Sequence, residues 1–444
     1  MQILYIHQNF PAQYRHIAAH LARAGGHGQV SIAKTTAGRV GGVRAIHYHI
    51  ADTAMRSQNP YVLDLESKVH HGEMVQDAMV SLKRRGFTPD VVLAHPGWGE
   101  ALFTKDVYPD APRLDYCEFY YNAFGGDVNF DPEQTQVEPD TARIRSRNAS
   151  ALLSLESCDW GFSPTGWQRS QYPKSFQSKI SVLHDGIDSA AAKPNDQVRL
   201  GLPNGTTVAK DDEVVTYVAR NLEPYRGFHQ FVRAAKLITE RRPRTQIIVV
   251  GSDGVSYGRK LPPGETYRKR YLAETPLDED RVHFVGKLAY EQYLKVLQVS
   301  SVHIYLTVPF VLSWSMLEAM SSGCLVLGSE TPPVAEVIED GGNGLLVDFF
   351  SPEMIANRVG EVLDHPDRMA AARAAARETI LERYALAICL PRHLALINDV
   401  AERRFPPPSM AVAPPPPTPP EATATANAGP IVVAPSNLRP SLYR

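Results

Sequence analysis

Short apolar runs alternate with longer amphipathic stretches through the first half of the chain. The apolar runs predict strands, because each is brief and is followed by a polar or glycine-bearing loop: QILYIH, VVLAH, RLDYCEF, WGFSP and ISVLHDG. Two stretches between them, YRHIAAHLARAG and VLDLESKVHHGEMVQDAMVSLKRRG, have the spacing of amphipathic helices. Gly86 follows a basic last turn and is expected to end the second helix.

The same alternation restarts after residue 210. It predicts strands at VVTYVAR, QIIVVG, RVHFVG, VHIYLT, LVLGS and GLLVD, with helices between them. Two such series predict an α/β protein with two doubly wound parallel sheets. The segment 189–213 lacks periodicity and contains Pro, Gly and Asn, so we predict a linker there, with a first domain over 1–188 and a second over 214–385.

The end of the chain differs in composition. From residue 405 to residue 444 it is rich in Pro, Ala and Thr and almost uncharged, which predicts a disordered tail with polyproline II character. The alternative is that this tail docks into the aromatic groove of a partner protein.

Composition limits the classes of partner. A length of 444 residues exceeds what one core usually supports, in agreement with two domains. The formal net charge of -2 gives no general electrostatic attraction to nucleic acid or to an anionic membrane. Four widely spaced cysteines without a CxxC pair argue against a zinc site or a disulfide framework. Nor do the histidines show a ligand spacing, so we predict no tightly bound metal or cofactor.

The location of the protein follows from what the sequence lacks. MQILYIHQNF leads directly into a strand pattern without the features of a signal peptide, and no apolar run reaches the roughly 18 to 20 residues of a spanning helix. We therefore expect a cytoplasmic protein. Peripheral contact with the inner face of a membrane remains open.

Polar and glycine residues cluster where the predicted strands end. Ligands of open parallel sheets bind beyond the carboxyl ends of the strands. The second half carries Arg220, Gly251, Gly286 and Thr307 at these ends, and the first half carries His7, His95 and Glu118. We therefore predict a cleft between the domains, to which each domain brings one substrate.

Two arginines in ARNLEPYRGFHQF indicate an anion site. Arg220 ends a strand, and Arg226 precedes Gly227 and a predicted helix. Two guanidinium groups with the free amides of a helix N-terminus suit a diphosphate. The alternative is a pair of surface arginines beside a turn.

Glu318 is the only charged residue of VPFVLSWSMLEAMSSG. Burial of a carboxylate is costly unless it is paired. We predict that Glu318 opens a helix and accepts hydrogen bonds from ribose hydroxyls, while Ser313 and Ser315 face phosphate. The alternative is a carboxylate in the first turn that complements the helix dipole.

The first half offers candidates for the acceptor side. The imidazole of His95 can orient or hydrogen-bond a reacting hydroxyl. Asn9 and Gln13 in HQNFPAQ can bind an acceptor hydroxyl or phosphate, and Glu118 in DYCEFYY lies among aromatic faces suited to a sugar. The alternatives are a structural histidine, ordinary helix capping and a core position, respectively.

These motifs together resemble a known family. YVARNLEPYRGF, IIVVGSDG, VHFVGKL, SWSMLEAMSSGCLVLGS and EVIEDGGNGLLVD resemble the C-terminal half of family 4 glycosyltransferases. HQNFPAQYRHIAAHL, AHPGWGEALF, DYCEFYYNAFGGDVNFDP, SPTGWQRSQYP and KISVLHDGID resemble the first half of one bacterial-type branch, so that the resemblance covers about residues 1–400.

The resemblance implies a GT-B fold, in which two Rossmann-like domains face each other across a cleft. It implies a retaining enzyme of the hexosyltransferase class that transfers a sugar from a UDP- or GDP-type donor to a hydroxyl of a polysaccharide, glycolipid or lipid-linked glycan precursor. It also implies that the final helix, 386–404, crosses back to the first domain, where we expect Pro391 to break or kink it.

Site residues follow from the same resemblance. It assigns Arg220 and Arg226 to the donor diphosphate, Glu318 to the ribose and His95 to the region of the acceptor and the donor sugar. The remaining expected donor contacts are Gly227, Gly251, Gly286 and Lys287.

The chain departs from the family at Phe310, where an EGFG-type loop usually has a Glu near the donor sugar. This departure motivates the alternative of a catalytically altered nucleotide-sugar-binding or scaffold protein on the same fold.

Overall fold

The computed structural model describes residues 1–35, 38–50, 57, 59–134 and 140–410, so that most of the predicted tail, 411–444, lies outside the described residues. The strands are β1 (Gln2–Ile6), β2 (Gly28–Lys34), β3 (Arg44–Tyr48), β4 (Val91–Ala94), β5 (Arg113–Tyr116), β6 (Trp160–Ser163), β7 (Ile180–Val182), β8 (Arg199–Gly201), β9 (Thr207–Ala209), β10 (Val214–Asn221), β11 (Gln246–Ser252), β12 (Val282–Gly286), β13 (Val302–Tyr305), β14 (Leu325–Ser329) and β15 (Leu345–Val347).

Helices connect most of these strands. They are α1 (Arg15–Ala24), α2 (Leu63–Arg84), α3 (Thr104–Val107), α4 (Thr141–Arg147), α5 (Ala149–Ser157), α6 (Gly166–Ser170), α7 (Lys174–Gln177), α8 (Phe228–Arg241), α9 (Tyr267–Glu274), α10 (Tyr290–Val299), α11 (Trp314–Ser321), α12 (Pro332–Ala335), α13 (Pro352–Asp364), α14 (Ala370–Thr379) and α15 (Leu386–Ala401).

The first domain is built on a parallel sheet with the order β3-β2-β1-β4-β5-β6-β7. The strand patterns of the sequence did not predict β2 and β3. Gln29 and Ser31 interrupt the apolar run of β2, yet both side chains are buried. Gln29 Oε1 accepts a hydrogen bond from the Tyr5 hydroxyl at 2.7 Å, which offsets the cost of burying this amide.

The second domain is built on a parallel sheet with the order β12-β11-β10-β13-β14-β15. Its central strands are buried on both faces, and this is why they appear in the sequence as nearly continuous apolar runs. All six predicted strands of this half are present. Their carboxyl ends open toward the first domain.

The segment 189–213 differs from the predicted linker. It contains the antiparallel hairpin of β8 and β9. Val198, Leu202 and Val208 pack in one buried cluster with Ile248 and Val250 of the second sheet. Apolar burial therefore joins this segment to the second domain, although its sequence has no strand periodicity.

Helix α15 packs against the sheet of the first domain. Leu396, Ile397 and Val400 share a buried cluster with Ile3 and Tyr5 of β1. The final helix of the chain thus lies on the first domain, after the second domain has been completed.

Of the break or kink predicted at Pro391, the break is wrong, because α15 continues through this residue. Buried neighbours on both sides, Cys389 and His393, hold the helix in place. The chain turns at Ala385, whose backbone is extended. Ile187 holds the residues on both sides of this turn: Ile187 N donates to Tyr384 O, and Leu386 N donates to Ile187 O, each at 2.7 Å.

The predicted start of the tail at residue 405 is also wrong. The ring of Phe405 stacks on Trp160 with centroids 6.2 Å apart, and Ser409 N donates to Asp399 Oδ2 at 2.8 Å. Residues 405–410 therefore belong to the folded first domain. Within the described residues, no helix combines the length and the apolar character needed to cross a membrane.

Candidate active site

A cavity of about 1030 Å³ lies between the two domains. Loops after β1, β4 and β5 form its first-domain wall, and loops after β10, β11, β12 and β13 form its second-domain wall. The predicted site residues that line it are Asn9, Gln13, His95, Glu118, Arg220, Arg226, Lys287, Ser313, Ser315 and Glu318.

Three predicted glycines lie outside this lining. A Cβ on Gly227, whose φ is 63°, would come within 2.5 Å of Leu306 Cβ. One on Gly251 would lie 2.7 Å from the carbonyl oxygen of Ala219. Gly286, at the end of β12, has a φ of 68° and open space around it. The first two glycines therefore allow close packing, and the third allows a turn of the backbone.

Arg226 is the buried cation of the cavity. Its Nη1 donates to Thr307 Oγ1 at 2.9 Å, to Val311 O at 3.1 Å and to the Tyr305 hydroxyl at 3.2 Å. Its guanidinium carbon lies 5.6 Å from the ring centre of Tyr257. No carboxylate pairs with Arg226 among the described residues. A permanently charged guanidinium is thus held in place by neutral groups at the cavity wall.

Arg220 and Lys287 add two cations at the exposed part of the second-domain wall. Within the described part of the chain, neither side chain has a hydrogen-bond or ion-pair partner, and both are thus available to an anion. Together with Arg226 they concentrate positive charge on one wall of the cavity.

The helix N-terminus at the cavity is not the predicted one. The first residues of α8 pack away from the cavity, because Phe228 and His229 are fully buried. The start of α11 lines the cavity instead, through Ser313, Trp314 and Ser315. Its N-terminal N–H groups carry the partial positive charge of the helix dipole.

Ser313 caps α11. Its Oγ accepts from Ser315 N at 3.3 Å and lies 2.9 Å from Ser315 Oγ. Its own N–H donates to the Tyr305 hydroxyl at 2.8 Å, and this hydroxyl also receives a hydrogen bond from Arg226. The cap and the buried guanidinium therefore share one tyrosine, which couples their positions.

Glu318 lies within α11 and not at its start, so the prediction that it begins a helix is wrong. The alternative, a first-turn carboxylate that complements the helix dipole, is wrong for the same reason. The carboxylate is 6% exposed and accepts hydrogen bonds from Tyr290 at 2.9 Å and Tyr293 at 2.7 Å. Burial raises the pKa of Glu318, and the two tyrosine hydroxyls oppose this rise. Each oxygen can accept a further hydrogen bond from a ligand hydroxyl.

Phe310 occupies the centre of an aromatic cluster. Its ring centroid lies 4.6 Å from that of Phe119, 4.9 Å from that of Tyr257 and 5.5 Å from that of Tyr225. Phe119 comes from the first domain and the other three rings from the second. The cluster gives the cavity an apolar wall next to Arg226.

Sequence reasoning missed Glu223, which holds one ring of this wall. Its carboxylate accepts hydrogen bonds from the N–H groups of Ser256 at 3.0 Å, Tyr257 at 3.2 Å and Gly258 at 2.9 Å. A buried carboxylate is thereby satisfied, and the loop after β11 is fixed with Tyr257 at the cavity.

A hydrogen-bonded chain runs along the first-domain wall. Asn9 N donates to His7 Nδ1 at 2.9 Å, and His7 Nε2 lies 2.8 Å from Gln13 Oε1. Gln13 Nε2 donates to Glu118 Oε1 at 3.1 Å. Glu118 Oε2 lies 3.4 Å from His95 Nε2. Burial, followed by the nearby His95, lowers the pKa of His7 well below its ordinary value, which favours the neutral ring.

His95 is buried between aromatic rings. Its ring stacks on Trp98 and Tyr116 with centroids 4.3 Å and 5.3 Å apart. Gly97 N donates to its Nδ1 at 3.2 Å. This contact leaves Nε2 as the nitrogen that faces Glu118.

Two basic residues of the first-domain wall were also missed. Lys68 lies 2.7 Å from Asp64 Oδ2 and donates to the carbonyl oxygen of Arg147 at 2.9 Å. The guanidinium carbon of Arg147 lies 3.6 Å above the ring centre of Tyr121, without a carboxylate partner among the described residues. Both cations line the cavity. They are far apart in the sequence, and folding brings them together.

Several contacts join the two domains around the cavity. A loop of the first domain, 119–134, reaches the second domain, where the Tyr225 hydroxyl donates to Asp127 Oδ2 at 2.7 Å and Arg233 Nη2 donates to Glu133 Oε2 at 2.7 Å. Elsewhere Trp314 Nε1 donates to Asp185 Oδ2 at 2.8 Å. Burial raises the pKa of Asp185 to about 7.

No group of three or more His, Cys, Asp or Glu residues in the described ranges could hold a metal ion.

Two family models match the chain in succession. The model of the glycosyl transferase family 4 group matches residues 25–192, and that of the glycosyl transferases group 1 matches residues 203–379.

Among curated proteins, the chain is similar to D-inositol 3-phosphate glycosyltransferases. It is 28% identical to that of Streptomyces scabiei over 256 residues, which covers 55% of each protein. It is 28% identical to that of Acidothermus cellulolyticus over 194 residues, 42% of this chain and 41% of the relative. The chain thus matches about half the length of these relatives, or less.

Among solved structures, the chain resembles Anabaena HepE in complex with UDP and glucose, with a TM-score of 0.63 and 15% identity over 90% of this chain and 99% of the other. It also resembles sucrose-phosphate synthase of Thermosynechococcus elongatus, with a TM-score of 0.68 and 17% identity over 91% of this chain and 100% of the other. These likenesses show a GT-B fold. The chain thus carries two successive glycosyltransferase domains, one matched by the family 4 group model and one by the group 1 model, on a GT-B fold.

Proposed function

We propose that this protein is a retaining glycosyltransferase that moves a sugar from a UDP-type donor to a hydroxyl of an acceptor that carries an anionic group. The observation that carries the proposal is the cavity itself. Its second-domain wall holds three cations, a helix N-terminus and Glu318, and its first-domain wall holds His95, Glu118 and two further cations.

The second-domain wall suits a nucleoside diphosphate. Arg220, Arg226 and Lys287 can neutralise the charge that develops on a departing diphosphate, and the N–H groups at the start of α11 add further donors. Glu318 offers a buried hydrogen-bond acceptor for ribose hydroxyls. The solved neighbour HepE, in complex with UDP and glucose, supports a uridine nucleotide as the first donor to test.

The proposed reaction exchanges one bond for another. The bond between the anomeric carbon and the diphosphate oxygen breaks, and its electron pair leaves with the diphosphate. The acceptor hydroxyl oxygen forms the new bond on the same face of the sugar, and its proton passes to the leaving phosphate. Closure of the two domains over the bound substrates would exclude water that otherwise hydrolyses the donor.

The first-domain wall supports an anionic acceptor. Lys68 and Arg147 face the cavity on the side opposite to the donor cations, and within the described residues Lys68 has a carboxylate partner whereas Arg147 has none. A guanidinium stacked on Tyr121 remains able to bind phosphate through its edge. The name of the curated relatives, D-inositol 3-phosphate glycosyltransferase, supports a phosphorylated polyol as the probe for this site.

Phe310 favours a second candidate, a nucleotide-sugar-binding protein without transfer activity. An aromatic ring replaces the carboxylate expected beside the donor sugar, and it is 4% exposed within a packed cluster. The cations and Glu318 would still bind the nucleotide in such a protein. The two candidates therefore differ in turnover and not in nucleotide binding.

A combined binding and turnover experiment tests the proposal. Thermal shifts with UDP, GDP and ADP would be measured on wild type, Arg220→Ala, Glu318→Ala and a matched control, Arg244→Ala, whose side chain is 85% exposed outside the cavity. A nucleotide at a hundred times its dissociation constant should stabilise the protein by about 2.7 kcal/mol. Release of UDP would then be followed with UDP-sugars and D-inositol 3-phosphate.

We expect a shift with UDP that both site variants lose and the control keeps, together with UDP release that depends on acceptor. A shift without any turnover would support the binding protein. No shift with any nucleotide would overturn both candidates.

A further inference from the structure

We propose that His95 and Glu118 both hydrogen-bond the reacting hydroxyl of the acceptor from the same wall of the cavity, and that His7 and Gln13 are positioning residues that hold Glu118 in place. This inference deepens the proposed function and rests on it. It concerns a part of the cavity where a buried donor and a carboxylate face each other without forming a hydrogen bond.

His95 supplies the donor. Its side chain is 2% exposed, and Gly97 N donates to Nδ1, so the ring proton of the neutral histidine resides on Nε2. Among the described residues this Nε2 has no hydrogen-bond partner. A buried donor left unpaired is costly, and a ligand that accepts its hydrogen bond would recover that cost.

Glu118 supplies the matching acceptor. Its Oε2 lies 3.4 Å from His95 Nε2, and the side chain is 28% exposed toward the cavity. A hydroxyl group both accepts and donates one hydrogen bond. Before transfer, an acceptor hydroxyl beside both groups can therefore accept from His95 Nε2 and donate to Glu118 Oε2. During transfer its O–H bond turns to the leaving phosphate, which takes the proton.

The hydrogen bonds that lead from Asn9 through His7 and Gln13 to Glu118 each have one possible direction. Asn9 N donates to His7 Nδ1, so the neutral His7 ring carries its proton on Nε2 and donates to Gln13 Oε1. The Gln13 amide is then oriented with Nε2 toward Glu118 Oε1, to which it donates at 3.1 Å. Glu118 Oε2 is left for the hydroxyl.

Burial explains why this orientation holds. His7 is 1% exposed, and the low pKa caused by burial keeps its ring neutral and its tautomer fixed. Gln168 Nε2 also donates to the backbone oxygen of Glu118 at 2.7 Å and so anchors the main chain. Among the described residues, Gln13 alone donates a hydrogen bond to the carboxylate of the partly exposed Glu118, which otherwise could turn toward solvent.

Gln13→Glu tests the positioning role. It keeps the size of the side chain and the acceptor for His7, but it replaces the amide donor with a second carboxylate facing Glu118. Gln8→Glu is the matched control, since it adds the same charge to the same wall. The double variant Gln13→Glu/Glu118→Gln restores a donor–acceptor pair with the two groups exchanged and leaves an amide oxygen available for the hydroxyl.

UDP release would be measured for the full-length variants with UDP-glucose and D-inositol 3-phosphate as probes. Loss of a hydrogen bond to a charged group predicts a rise of roughly tenfold to a hundredfold in the KM for the acceptor in Gln13→Glu. We expect an unchanged KM for the donor, no comparable effect in Gln8→Glu, and partial recovery in the double variant.

The inference is overturned if Gln13→Glu behaves like Gln8→Glu, if it raises the KM of donor and acceptor alike, or if the double variant recovers nothing. Failure of the proposed function has a different result, because wild type itself would then release no UDP. That result would remove both proposals together.

Discussion

Phe119 of the first domain and Phe310 of the second meet across the cleft with ring centroids 4.6 Å apart and ring planes at 61°. An edge-to-face pair of this kind adds to the stability gained from burial of the rings. The contact joins the domains at the position where the sequence departs from the family pattern. An aromatic side chain at residue 310 therefore has a structural role in addition to its place in the cavity wall.

Phe310→Ala tests this role. Removal of a buried Phe is expected to lower the free energy of unfolding by about 3–5 kcal/mol, because burial is lost and a void remains beside three rings. The measurement is urea unfolding followed by tryptophan fluorescence. Phe124→Ala, at a ring that is 73% exposed, is the control and should change stability by no more than about 0.5 kcal/mol. Equal effects of the two substitutions would contradict the packing described for Phe310.

The two arginines of the donor wall should behave differently. Arg226→Ala leaves Thr307 Oγ1 and Val311 O without a buried donor, so we expect a loss of about 1–3 kcal/mol in stability as well as weaker UDP binding. Arg220→Ala changes an exposed residue and should weaken UDP binding alone. Calorimetric titration with UDP and urea unfolding check the pair. An Arg226→Ala variant with unaltered stability would argue against its hydrogen-bonded setting.

UDP binding should depend on the ionisation of Glu318. Burial raises the pKa of its carboxyl, so the ionised acceptor is lost as the pH falls through that raised value. UDP affinity should therefore weaken at low pH in wild type. The double variant Tyr290→Phe/Tyr293→Phe removes the two hydrogen bonds that lower this pKa, and the loss of affinity should begin at a higher pH.

Calorimetric titrations with UDP across a pH series provide the measurement for Glu318. Glu318→Gln is the reference, because it retains the shape of the side chain and cannot ionise there. The ratio of wild-type to Glu318→Gln affinity cancels the titration of UDP itself. A ratio that does not vary with pH would rule out a role for the ionised carboxylate.

Asp185 should make stability depend on pH between about 4 and 7. Burial raises the pKa of the folded carboxyl to about 7, whereas an unfolded Asp ionises near pH 4, at about 3.9. As pH rises through this window, the unfolded chain loses its proton before the folded protein does. Stability from this residue is complete below the window and is lost toward pH 7, by at most about 1.4 kcal/mol per pH unit.

Asp185→Asn keeps an acceptor for Trp314 Nε1 and removes the ionisation. Its advantage over wild type in urea unfolding should grow from pH 4 to pH 7 and then level off. Asp367→Asn, at an exposed position, is the matched control. If the difference between wild type and Asp185→Asn is constant with pH, the buried setting of Asp185 is wrong.

The sequence predicted the second domain better than the first. Strands buried on both faces, such as β10 and β13, are continuous apolar runs and can be recognised locally. Strand β2 contains Gln29 and Ser31, whose burial depends on a hydrogen-bond partner elsewhere in the chain. Residues 405–410 are likewise folded because they contact Trp160 and Asp399, and no local sequence pattern indicates these contacts.

The candidate site likewise contains residues that the sequence predicted and residues that it did not. Strand-end residues such as Arg220 and His95 could be predicted because parallel topology brings strand ends together. The connection of His7 with Gln13, and the convergence of Lys68 with Arg147, require the positions of separate loops and helices. The choice of the α11 N-terminus over that of α8 depends on packing, since Phe228 and His229 are buried elsewhere.

The position of α15 has a consequence for synthesis of the protein. The core of the first domain includes Leu396, Ile397 and Val400, which leave the ribosome after every strand of the second domain. Domains usually fold in the order of their synthesis. Here the second domain can complete its core before α15 emerges, whereas the cluster around Ile3 and Tyr5 is completed only when α15 packs on it, so the first domain is the last to be completed.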